Sequence, residues 1–419
     1  MSDKAAWPTT SIIDATSKIM DFRGRTPKKL GMDWGDGYIP AISARNVRMG
    51  KIDFSQEHYV ASDLLYRRWM TQGDMEQGDT LITTEAPLGN VAEVPDSRRY
   101  VLSQRTVLLR PKPERFDKTY FTQVLQSPDF QSLLVQNSSG STALGIQRKK
   151  LELLRIPEPS LAEQKCIADA LKDTDDLIAA LECLIAKKQA IKQGMMQQLL
   201  TGRTRLSGFS DQWRVVPLAE VSTMKGRIGW QGLTQDEFTT DGRQPFLITG
   251  MNFKDGAIRW GEVYHVPDER YMVAPEIQLH PGDVLMTKDG TIGKLLYVDS
   301  IPYPGRATLN SHLLVFRPKN SAYIPRFLYY QLGSPRFTSH IELHKSGSTF
   351  FGISQGSVGK YEMLLPSLAE QEAIVDSLTA ADAVIDALQT RLAKARAMKT
   401  GMMQQLLTGR VRLPAEAAS

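Results

Sequence analysis

Residues 159–164 read Pro-Ser-Leu-Ala-Glu-Gln, and the same six residues return at 366–371. Residues 194–203, Gly-Met-Met-Gln-Gln-Leu-Leu-Thr-Gly-Arg, return unchanged at 401–410. Both matches have an offset of 207 residues, and the gapless alignment around them gives 29 identities in 48 positions. This period is far longer than the roughly 20–50 residues of a solenoid repeat. The chain therefore contains two copies of one structural unit.

Weaker matches extend the repeat over the rest of the chain. Three short motifs occur twice: Gly-Asp-x-Leu-x-Thr, Arg-Pro-Lys, and Ser-Gly-Ser-Thr followed after two further residues by Gly-Ile. They begin at Gly78 and Gly282, at Arg110 and Arg317, and at Ser139 and Ser346. We therefore divide the chain into a variable segment A (1–155), a conserved segment B (156–210), a second variable segment A′ (211–362) and a second conserved segment B′ (363–419).

The conserved segments predict two long helices. From 161 to 200, apolar residues recur at steps of three and four, and the second copy keeps this pattern. Leu171, Ile178 and Ile185 follow a seven-residue step, which is typical of a coiled-coil seam. A serine three residues before a glutamate opens each segment with capping-box spacing, and a Thr-Gly pair lies at each expected end. Two such helices with matching seams are expected to pack together.

Segments A and A′ are predicted to be mostly β. Short apolar runs such as Thr80–Thr83 and Val284–Thr287 are bounded by Gly, Pro, Asp or Asn. Short helices are predicted at Lys118–Gln126 and Ile324–Leu332, each ending at a Ser-Pro pair. The fold class that follows is α+β, with two mostly-β domains joined by two long helices.

Length and composition narrow the class of protein. A chain of 419 residues suggests two or three domains, and a net charge of +5 supports nucleic-acid binding only weakly. No apolar run approaches the roughly 18 residues of a membrane span, and the first residues lack an apolar stretch of signal-peptide length. We therefore expect a cytoplasmic protein. Cys166 and Cys183 lie roughly 25 Å apart on one predicted helix, too far for a disulfide bond.

The sequence contains no motif for catalysis that we recognise. Residues 288–294 resemble a phosphate-binding loop, but Lys288 stands at the first glycine position and Leu295 at the hydroxyl position. An Asn/Asp-Pro-Pro-aromatic sequence suited to base methylation does not occur. The two cysteines and six histidines have no metal-ligand spacing. We predict that this chain has no catalytic residue and binds no metal.

Groups suited to DNA are frequent on segments A and A′. Cations in Gly/Pro loops can reach phosphates or guanine edges, although a solvated turn is an equal alternative. Asparagine can read adenine but is also a common turn residue. The hydroxyls and amides of Ser-Gly-Ser-Thr suit phosphate oxygens, and a shared structural turn is the competing interpretation.

The predicted DNA-binding residues fall into two sets. Those of segment A are Arg23, Arg25, Lys28, Lys29, Arg45, Asn46, Arg105, Ser139, Ser141, Thr142, Gln147, Arg148 and Lys149. Those of segment A′ are Lys225, Arg227, Trp230, Gln231, Asn252, Lys254, Lys288, Lys294, His312, Lys345, Ser346, Ser348 and Thr349.

The repeated Gly-Met-Met-Gln-Gln sequence has a different chemistry. A glycine inside a helix costs about 1 kcal/mol relative to alanine, but it permits close approach of a second helix. Adjacent methionines make an adaptable apolar surface. Packing between the two long helices and docking of a partner subunit both remain open. The residues predicted to bind a partner are Met195, Met196, Met402 and Met403.

The Pro-x-Leu-Ala-Glu-Gln opening, the helix ending in Met-x-x-Leu-Leu-Thr-Gly and the A–B–A′–B′ order resemble the specificity (S) subunit of type I restriction–modification systems. The resemblance covers essentially the whole chain. It implies that each variable segment is a target recognition domain that reads one half of a split DNA site. It also implies that the conserved helices form an antiparallel coiled coil, with the two halves related by a pseudo-two-fold. The coiled coil would fix the DNA spacer and dock two methyltransferase (M) subunits.

The same resemblance implies a non-catalytic subunit. Methylation, ATP-driven translocation and cleavage would belong to the M subunits and to restriction/translocase (R) subunits. S-adenosylmethionine, ATP and Mg are therefore expected on those partners, and no cofactor is expected on this chain. A circular arrangement is also implied, with Arg412 near Trp7 much as Arg205 leads to Trp213. Two alternatives stay open: a stand-alone duplicated DNA-binding regulator or coiled-coil adaptor, and a fused nuclease or methyltransferase.

Overall fold

The structure is a computed structural model that describes residues 7–140, 143–227, 232–254, 256–347 and 351–414. The chain divides into two compact units. Unit 1 consists of Met1–Cys183 with Gln389–Ser419, and unit 2 consists of Leu184–Leu388. Each unit thus contains one variable segment and a part of each long helix.

Unit 1 is a mixed unit built on a four-stranded antiparallel sheet. Its strands are β1 (Thr9–Ser11), β2 (Thr16–Asp21), β3 (Ile39–Ile42), β4 (Val47–Arg48), β5 (Lys51–Ile52), β6 (Val60–Ala61), β7 (Thr80–Thr84), β8 (Leu88–Glu93), β9 (Val101–Leu102), β10 (Thr106–Pro111) and β11 (Arg155–Pro157). Its helices are α1 (Ile12–Ala15), α2 (Asp63–Trp69), α3 (Lys118–Gln126), α4 (Pro128–Gln136), α5 (Arg148–Leu153) and the first part of α6 (Leu161–Leu199). The main sheet has the order β2-β10-β7-β8, beside a β6-β3-β9 sheet and the pairs β1-β11 and β4-β5.

Unit 2 repeats this architecture. Its strands are β12 (Arg214–Pro217), β13 (Ser222–Lys225), β14 (Phe246–Ile248), β15 (Phe253–Lys254), β16 (Ala257–Ile258), β17 (Tyr264–His265), β18 (Val284–Thr287), β19 (Leu295–Tyr297), β20 (Ala307–Leu309), β21 (Leu313–Pro318) and β22 (Glu362–Leu365). Its helices are α7 (Leu218–Val221), α8 (Asp268–Met272), α9 (Pro325–Leu332), α10 (Pro335–His344), α11 (Gln355–Gly359) and the first part of α12 (Leu368–Leu406). Its sheets, β13-β21-β18-β19, β17-β14-β20, β12-β22 and β15-β16, reproduce those of unit 1 strand for strand. The predicted duplication and the α+β class are confirmed.

The long helices begin and end at their predicted caps. At the start of α6, Ser160 N donates to Glu163 Oε2 at 3.2 Å, and Glu163 N donates to Ser160 Oγ at 3.4 Å. This reciprocal pair is a capping box. Gly202 and Gly409, which follow the two helices, have φ values of +69° and +75°. Glycine adopts this left-handed conformation without the steric cost that a side chain would add.

A buried glutamine in the repeated motif joins each long helix to its variable segment. Gln164 Oε1 accepts a hydrogen bond from Asp117 N at 3.0 Å, and Asp117 caps α3. In the second copy, Gln371 Oε1 accepts from Ile324 N at 2.9 Å, directly before α9. Both glutamine side chains are buried. Each glutamine amide accepts a hydrogen bond from a backbone N–H at the start of a shorter helix. The motif therefore connects the start of a long helix with the start of α3 or α9.

The long helices run antiparallel within each unit. In unit 1, Lys399 Nζ lies 2.7 Å from Asp175 Oδ1, and Arg396 Nη2 lies 2.6 Å from Glu182 Oε1. As residue numbers rise along α6, those of the partners on α12 fall. In unit 2, Lys192 forms an ion pair with Asp382. The lysines of the two units are 207 residues apart, as are the aspartates, so one interhelical bridge is made twice.

Each bridging aspartate also contacts a helix of its own variable segment. Asp175 Oδ2 accepts a hydrogen bond from Gln123 Nε2 at 2.7 Å. Asp382 Oδ2 accepts from the hydroxyl of Tyr330 at 2.7 Å. Gln123 and Tyr330 are equivalent residues at the same offset of 207. We call Asp175 and Asp382 the junction aspartates, because each connects both long helices with α3 or α9.

A second duplicated ion pair holds the main sheet of each unit. Arg110 donates from Nε and Nη2 to the two carboxylate oxygens of Asp79, both at 2.7 Å. Arg317 makes the same bidentate contact with Asp283, at 2.7 and 2.8 Å. Asp79 and Asp283 are buried. In each unit, the repeated Gly-Asp motif therefore supplies the carboxylate of one structural ion pair, and the repeated Arg-Pro motif supplies its guanidinium.

The repeated methionines belong to hydrophobic cores. Met196 is buried in a core of unit 2, and Met403 is buried in a core of unit 1. Met195 and Met402 are partly buried against the same two cores. A Cβ atom added at Gly194 or Gly401 would meet no described atom within 4 Å. The prediction that these glycines permit close approach of the two helices is therefore wrong for packing within the chain.

The N-terminal and C-terminal parts of the described chain contact each other in unit 1. The guanidinium of Arg412 lies 4.1 Å from the ring centroid of Trp7, whose Nε1 donates to Leu406 O at 3.4 Å. In unit 2, the guanidinium of Arg205 lies 5.4 Å from the ring of Trp213. The predicted proximity of Arg412 to Trp7 is confirmed.

No helix in the described ranges combines the length and the apolar character that crossing a membrane requires.

Candidate nucleic-acid interface

The candidate interface is one end of the main sheet in each unit. In unit 1, Asp21 at the end of β2 pairs with Val107 near the start of β10, and Thr83 near the end of β7 pairs with Thr106. The loop after β2, the β7–β8 turn and the loop before β10 therefore meet at this end. The corresponding end of unit 2 carries the loops after β13, between β18 and β19, and before β21.

The Ser-Gly-Ser-Thr loop is fixed to this end by the same backbone bonds in both units. Ser139 and Gly145 exchange two N–H···O bonds of 2.9 Å, and Ser346 and Gly352 do the same. The next residue in each copy donates its N–H to the end of the adjacent strand, in unit 1 from Ile146 to Thr84 O at 2.9 Å. These bonds favour a shared structural turn at the base of the loop. Contact of its residues with DNA stays a prediction.

Six predicted residues fall outside the described residues. They are Ser141, Thr142, Trp230, Gln231, Ser348 and Thr349. The side chain of Lys254 also lies outside the described part of the structure.

The glycine of each Gly-Ile pair packs close to an acidic residue. A Cβ atom at Gly352 would lie 2.9 Å from Asp289 Oδ1. One at Gly145 would lie 3.3 Å from Glu85 Cβ. A side chain at position 352 would therefore displace the carboxylate of Asp289, whereas one at position 145 would require its neighbours to shift by a few tenths of an ångström. The repeated glycine thus makes room for an acidic residue.

That acidic residue forms a pair with an arginine in unit 1 and with a histidine in unit 2. In unit 1, Arg105 Nε lies 3.1 Å from Glu85 Oε1. In unit 2, His312 Nδ1 lies 3.1 Å from Asp289 Oδ2. The side chains of Arg105 and His312 are 53% and 54% exposed. We call these the interface carboxylate pairs.

The sequence pattern predicted Arg105 and His312 as site residues but did not indicate their carboxylate partners. Glu85 and Asp289 each lie six residues after the aspartate of the repeated Gly-Asp motif. An acidic residue at this equivalent position in both copies was the available signal.

Three predicted arginines are turned inward. Arg23 pairs with Asp21 at 2.6 Å, and Arg25 donates from Nη1 to Trp69 O. Arg227 is buried, with Nε donating to Leu309 O at 2.8 Å. Burial lowers the pKa of Arg227 to about 10, so its guanidinium stays charged at neutral pH. Their contacts stabilise the loops that form the interface.

The two predicted asparagines are also buried. Asn46 Oδ1 accepts from Ser43 N at 3.1 Å and from Ser43 Oγ at 2.9 Å. Asn252 Oδ1 accepts from Thr249 N and Thr249 Oγ1, both at 2.8 Å. Each amide therefore closes a turn, which is the alternative that the sequence analysis kept open.

The remaining predicted residues are wholly or partly accessible. Lys28, Ser139, Gln147, Lys149, Lys225, Lys294 and Ser346 are exposed, and Lys288 is half-buried. Four others have partners: Lys29 with Gly24 O at 2.6 Å, Arg45 with Glu57 at 3.8 Å, Arg148 with Glu152 at 2.6 Å and Lys345 with Glu342 at 2.5 Å. Exposed cations of this kind suit phosphate contacts.

A cleft of about 480 Å³ opens beside Arg105 in unit 1. Lys28 and Arg45 line it together with Trp34 and Tyr59, whose rings stack at 5.5 Å with an interplanar angle of 10°. The sequence analysis missed this aromatic pair, because Trp34 and Tyr59 are far apart in the chain. The cleft therefore places aromatic side chains beside the basic residues at this end of the sheet.

Within the described ranges, no cluster of three or more His, Cys, Asp or Glu side chains could hold a metal ion. Cys166 is buried, Cys183 is exposed, and both are free thiols.

Comparisons with known proteins agree with this duplicated architecture. The family model described as "Type I restriction modification DNA specificity domain" matches twice, at residues 16–193 and 211–396. The MjaVIII specificity subunit of a type I restriction enzyme from Methanocaldococcus jannaschii is 25% identical, over 97% of this chain and 93% of its own. The StySPI specificity subunit of a type I restriction enzyme from Salmonella potsdam is 25% identical, over 87% of this chain and 80% of its own.

Two solved structures have the same fold. The S subunit of a type I restriction–modification system from M. genitalium has a TM-score of 0.58 and 16% identity, over 97% of both chains. A chain from a structure of type I R-M complex assembly and conformational transition has a TM-score of 0.57 and 19% identity. That alignment covers 98% of this chain and 100% of the other.

Proposed function

The chain belongs to the type I restriction modification DNA specificity domain family, and on this premise we propose that it is the DNA specificity subunit of a type I restriction–modification complex. The observation that carries the proposal is the duplicated sheet end. The same backbone bonds hold the same loops in both units, while the side chains on those loops differ. A constant scaffold with variable side chains suits two domains that read two different DNA sequences.

We expect each unit to read one half of a bipartite site in double-stranded DNA. The exposed lysines at each sheet end would neutralise phosphates, and side chains at the centre of each interface would contact base edges. The net charge of +5 is compatible with this role. The paired long helices would set the spacer between the two half-sites.

The partners we propose are two M subunits, and R subunits in the complete complex. S-adenosylmethionine, ATP and Mg would then be bound by those partners, and this chain would have no catalytic role. Burial of Met196 and Met403 supports packing as the role of these two methionines. Docking would then use exposed residues beside them, such as Gln197 and Gln404.

The test is methylation mapping in cells with and without this gene, combined with co-purification. We expect a bipartite site to be methylated only when the gene is present, and the tagged chain to capture M subunits. A chain that binds DNA and captures no methyltransferase would instead be a stand-alone regulator. Methylation of DNA by the purified chain alone, with S-adenosylmethionine, would contradict a non-catalytic role.

A further inference from the structure

We propose that residues 105 and 312 are equivalent base-reading residues, in which Arg105 donates hydrogen bonds to a guanine and His312 accepts one from an exocyclic amino group. This inference rests on the proposed function and deepens it, because it names the side chains that distinguish the two half-sites.

The two residues occupy the same place on the same scaffold. The carbonyl of Arg105 accepts from Thr84 N at 2.9 Å, and the carbonyl of His312 accepts from Lys288 N at 2.9 Å. Thr84 and Lys288 in turn accept backbone bonds from the Gly-Ile pairs of the Ser-Gly-Ser-Thr loops. Positions 105 and 312 therefore share these backbone hydrogen bonds, and they differ in their side chains and in the positive φ that only Arg105 has.

Three other candidate arginines and the candidate lysines fit base reading less well. Arg23, Arg25 and Arg227 use their guanidinium groups within the protein. Lysine can contact a guanine edge, but its ammonium lacks the rigid planar fork with which arginine matches both acceptors. Arg105 is half exposed, and neither of its terminal nitrogens donates a hydrogen bond within the described part of the chain. Those two nitrogens are the donors that guanine recognition requires.

Each carboxylate determines which nitrogen atoms of its partner remain available for hydrogen bonds to DNA. Glu85 holds Arg105 near Nε, which leaves Nη1 and Nη2 for the O6 and N7 acceptors of a guanine. Asp289 Oδ2 lies at Nδ1 of His312, which favours the tautomer with the proton on Nδ1 and leaves Nε2 as the acceptor. The amino groups of adenine N6 and cytosine N4 are the major-groove donors that such an acceptor can read. Equivalent positions thus present opposite hydrogen-bond polarity.

The backbone at Arg105 supports a functional role. Its φ of +63° lies in the left-handed region, where a residue with a side chain is strained by about 1–2 kcal/mol. Glycine or asparagine would occupy this position at lower cost. An arginine held there is therefore more easily explained by what its side chain contacts than by the turn.

The experiment compares substitutions in the complete complex with M subunits. The methylation rate is measured on duplex libraries in which each position of each half-site is varied in turn. Arg105→Asn keeps a residue suited to the left-handed backbone, and Arg105→Lys keeps the charge. Asp289→Glu with His312→Arg places the pair of unit 1 in unit 2. Arg98→Asn, in an exposed Arg98–Asp96 ion pair beyond the other end of β8, is the matched control.

Both Arg105 variants are expected to lose discrimination at one guanine of the half-site read by unit 1, by about tenfold or more. The other half-site should not change. The double variant is expected to shift one position of the second half-site from adenine or cytosine to guanine. Arg98→Asn should leave both half-sites unchanged.

Unchanged base preferences in active Arg105 variants would overturn the proposal. So would a failure of both Arg105 variants to assemble while the His312 double variant assembles with its preference unaltered, since residue 105 would then belong to the scaffold. A wild-type complex that methylates no bipartite site would instead contradict the proposed function itself. The two failures are therefore distinguishable.

Discussion

Single residues of this chain divide into those that hold the scaffold and those that face solvent at the interface. The Arg110–Asp79 and Arg317–Asp283 pairs show the first class most clearly, because both occur with the same geometry in both units. A buried charge whose partner is removed keeps its desolvation cost and loses its compensation. The repeated motifs that contain these residues are therefore retained for stability.

Removing the arginine of a scaffold pair should destabilise the protein strongly. We expect Arg110→Ala to lower the free energy of unfolding by about 3–5 kcal/mol, because it leaves the buried Asp79 without its counter-ion. Urea denaturation followed by circular dichroism measures this change. Arg98→Ala removes an arginine of a solvent-exposed pair and should have little effect. Equal losses in the two variants would contradict this assignment.

The buried carboxyl group of Glu93 is expected to make the stability of the protein depend on pH. Burial raises the pKa of this carboxyl above its ordinary value of 4.5, against the opposing effect of hydrogen bonds from Thr119 and Thr122. The folded state therefore binds the proton more tightly than the unfolded state, and stability falls as pH rises from 4.5 through the raised pKa. Glu93→Gln should raise Tm at pH 8, with a gain that shrinks towards pH 4.5. Thermal melts across this range measure the gain, and a gain independent of pH would contradict the explanation.

At the scale of elements, the junction aspartates connect three helices at one carboxylate. Asp175 receives Lys399 from α12 and Gln123 from α3, and Asp382 receives Lys192 and Tyr330 in the same way. A shift of α6 by one helical turn would break both contacts of Asp175 together. The aspartates therefore specify the register of the paired helices, a role that polar seam residues have in coiled coils.

A double-mutant cycle can test the register contact. We expect Asp175→Asn and Lys399→Gln to show a coupling free energy of about 1 kcal/mol, because both side chains are partly buried and share the contact. The Glu182–Arg396 pair has more exposed side chains and serves as the control, with a smaller coupling. The free energy of unfolding of each single and double variant is the measurement. Equal coupling in both cycles would argue against a special role for Asp175.

The elements that the sequence predicted best are those defined by local patterns. Lys118–Gln126 and Val284–Thr287 have the predicted bounds, because capping residues and turn residues delimit them within the chain. The side-chain direction of a loop residue depends on distant neighbours. Arg227 was predicted to face DNA, but it is buried because Leu309 O and Thr308, about eighty residues away, accept its hydrogen bonds. Glu85 was missed for the same reason, since its partner Arg105 lies in the loop before β10.

The whole molecule is two copies of one recognition unit that share a pair of long helices. α6 begins in unit 1 and ends in unit 2, and α12 begins in unit 2 and ends in unit 1. Under the proposed function, the length of these helices sets the number of base pairs between the half-sites. The loops at the sheet ends set the sequence of each half-site independently of that length.

Changing the helix length should change only the spacer. We expect four residues inserted between Ala186 and Lys187, with four more between Ala393 and Lys394, to alter the spacer and leave both half-sites as they are. Methylation mapping of the complete complex reads both properties in one experiment. An insertion in α6 alone would break the pairing of the junction aspartates and should reduce complex formation. An unaltered spacer in the double insertion would contradict the ruler role of the helices.

The contact between Arg412 and Trp7 has a consequence for how the chain can be cut. It repeats the contact between Arg205 and Trp213, so an arginine packs on a tryptophan both where the chain is continuous and where it is open. A permuted gene that joins residue 419 to residue 1 and opens the chain between 207 and 212 should encode the same fold. Two half-length chains, each carrying one variable and one conserved segment, could likewise assemble into it. Whether the two halves are joined in one chain thus depends on gene order. Exchanging one half of the gene would exchange one half-site.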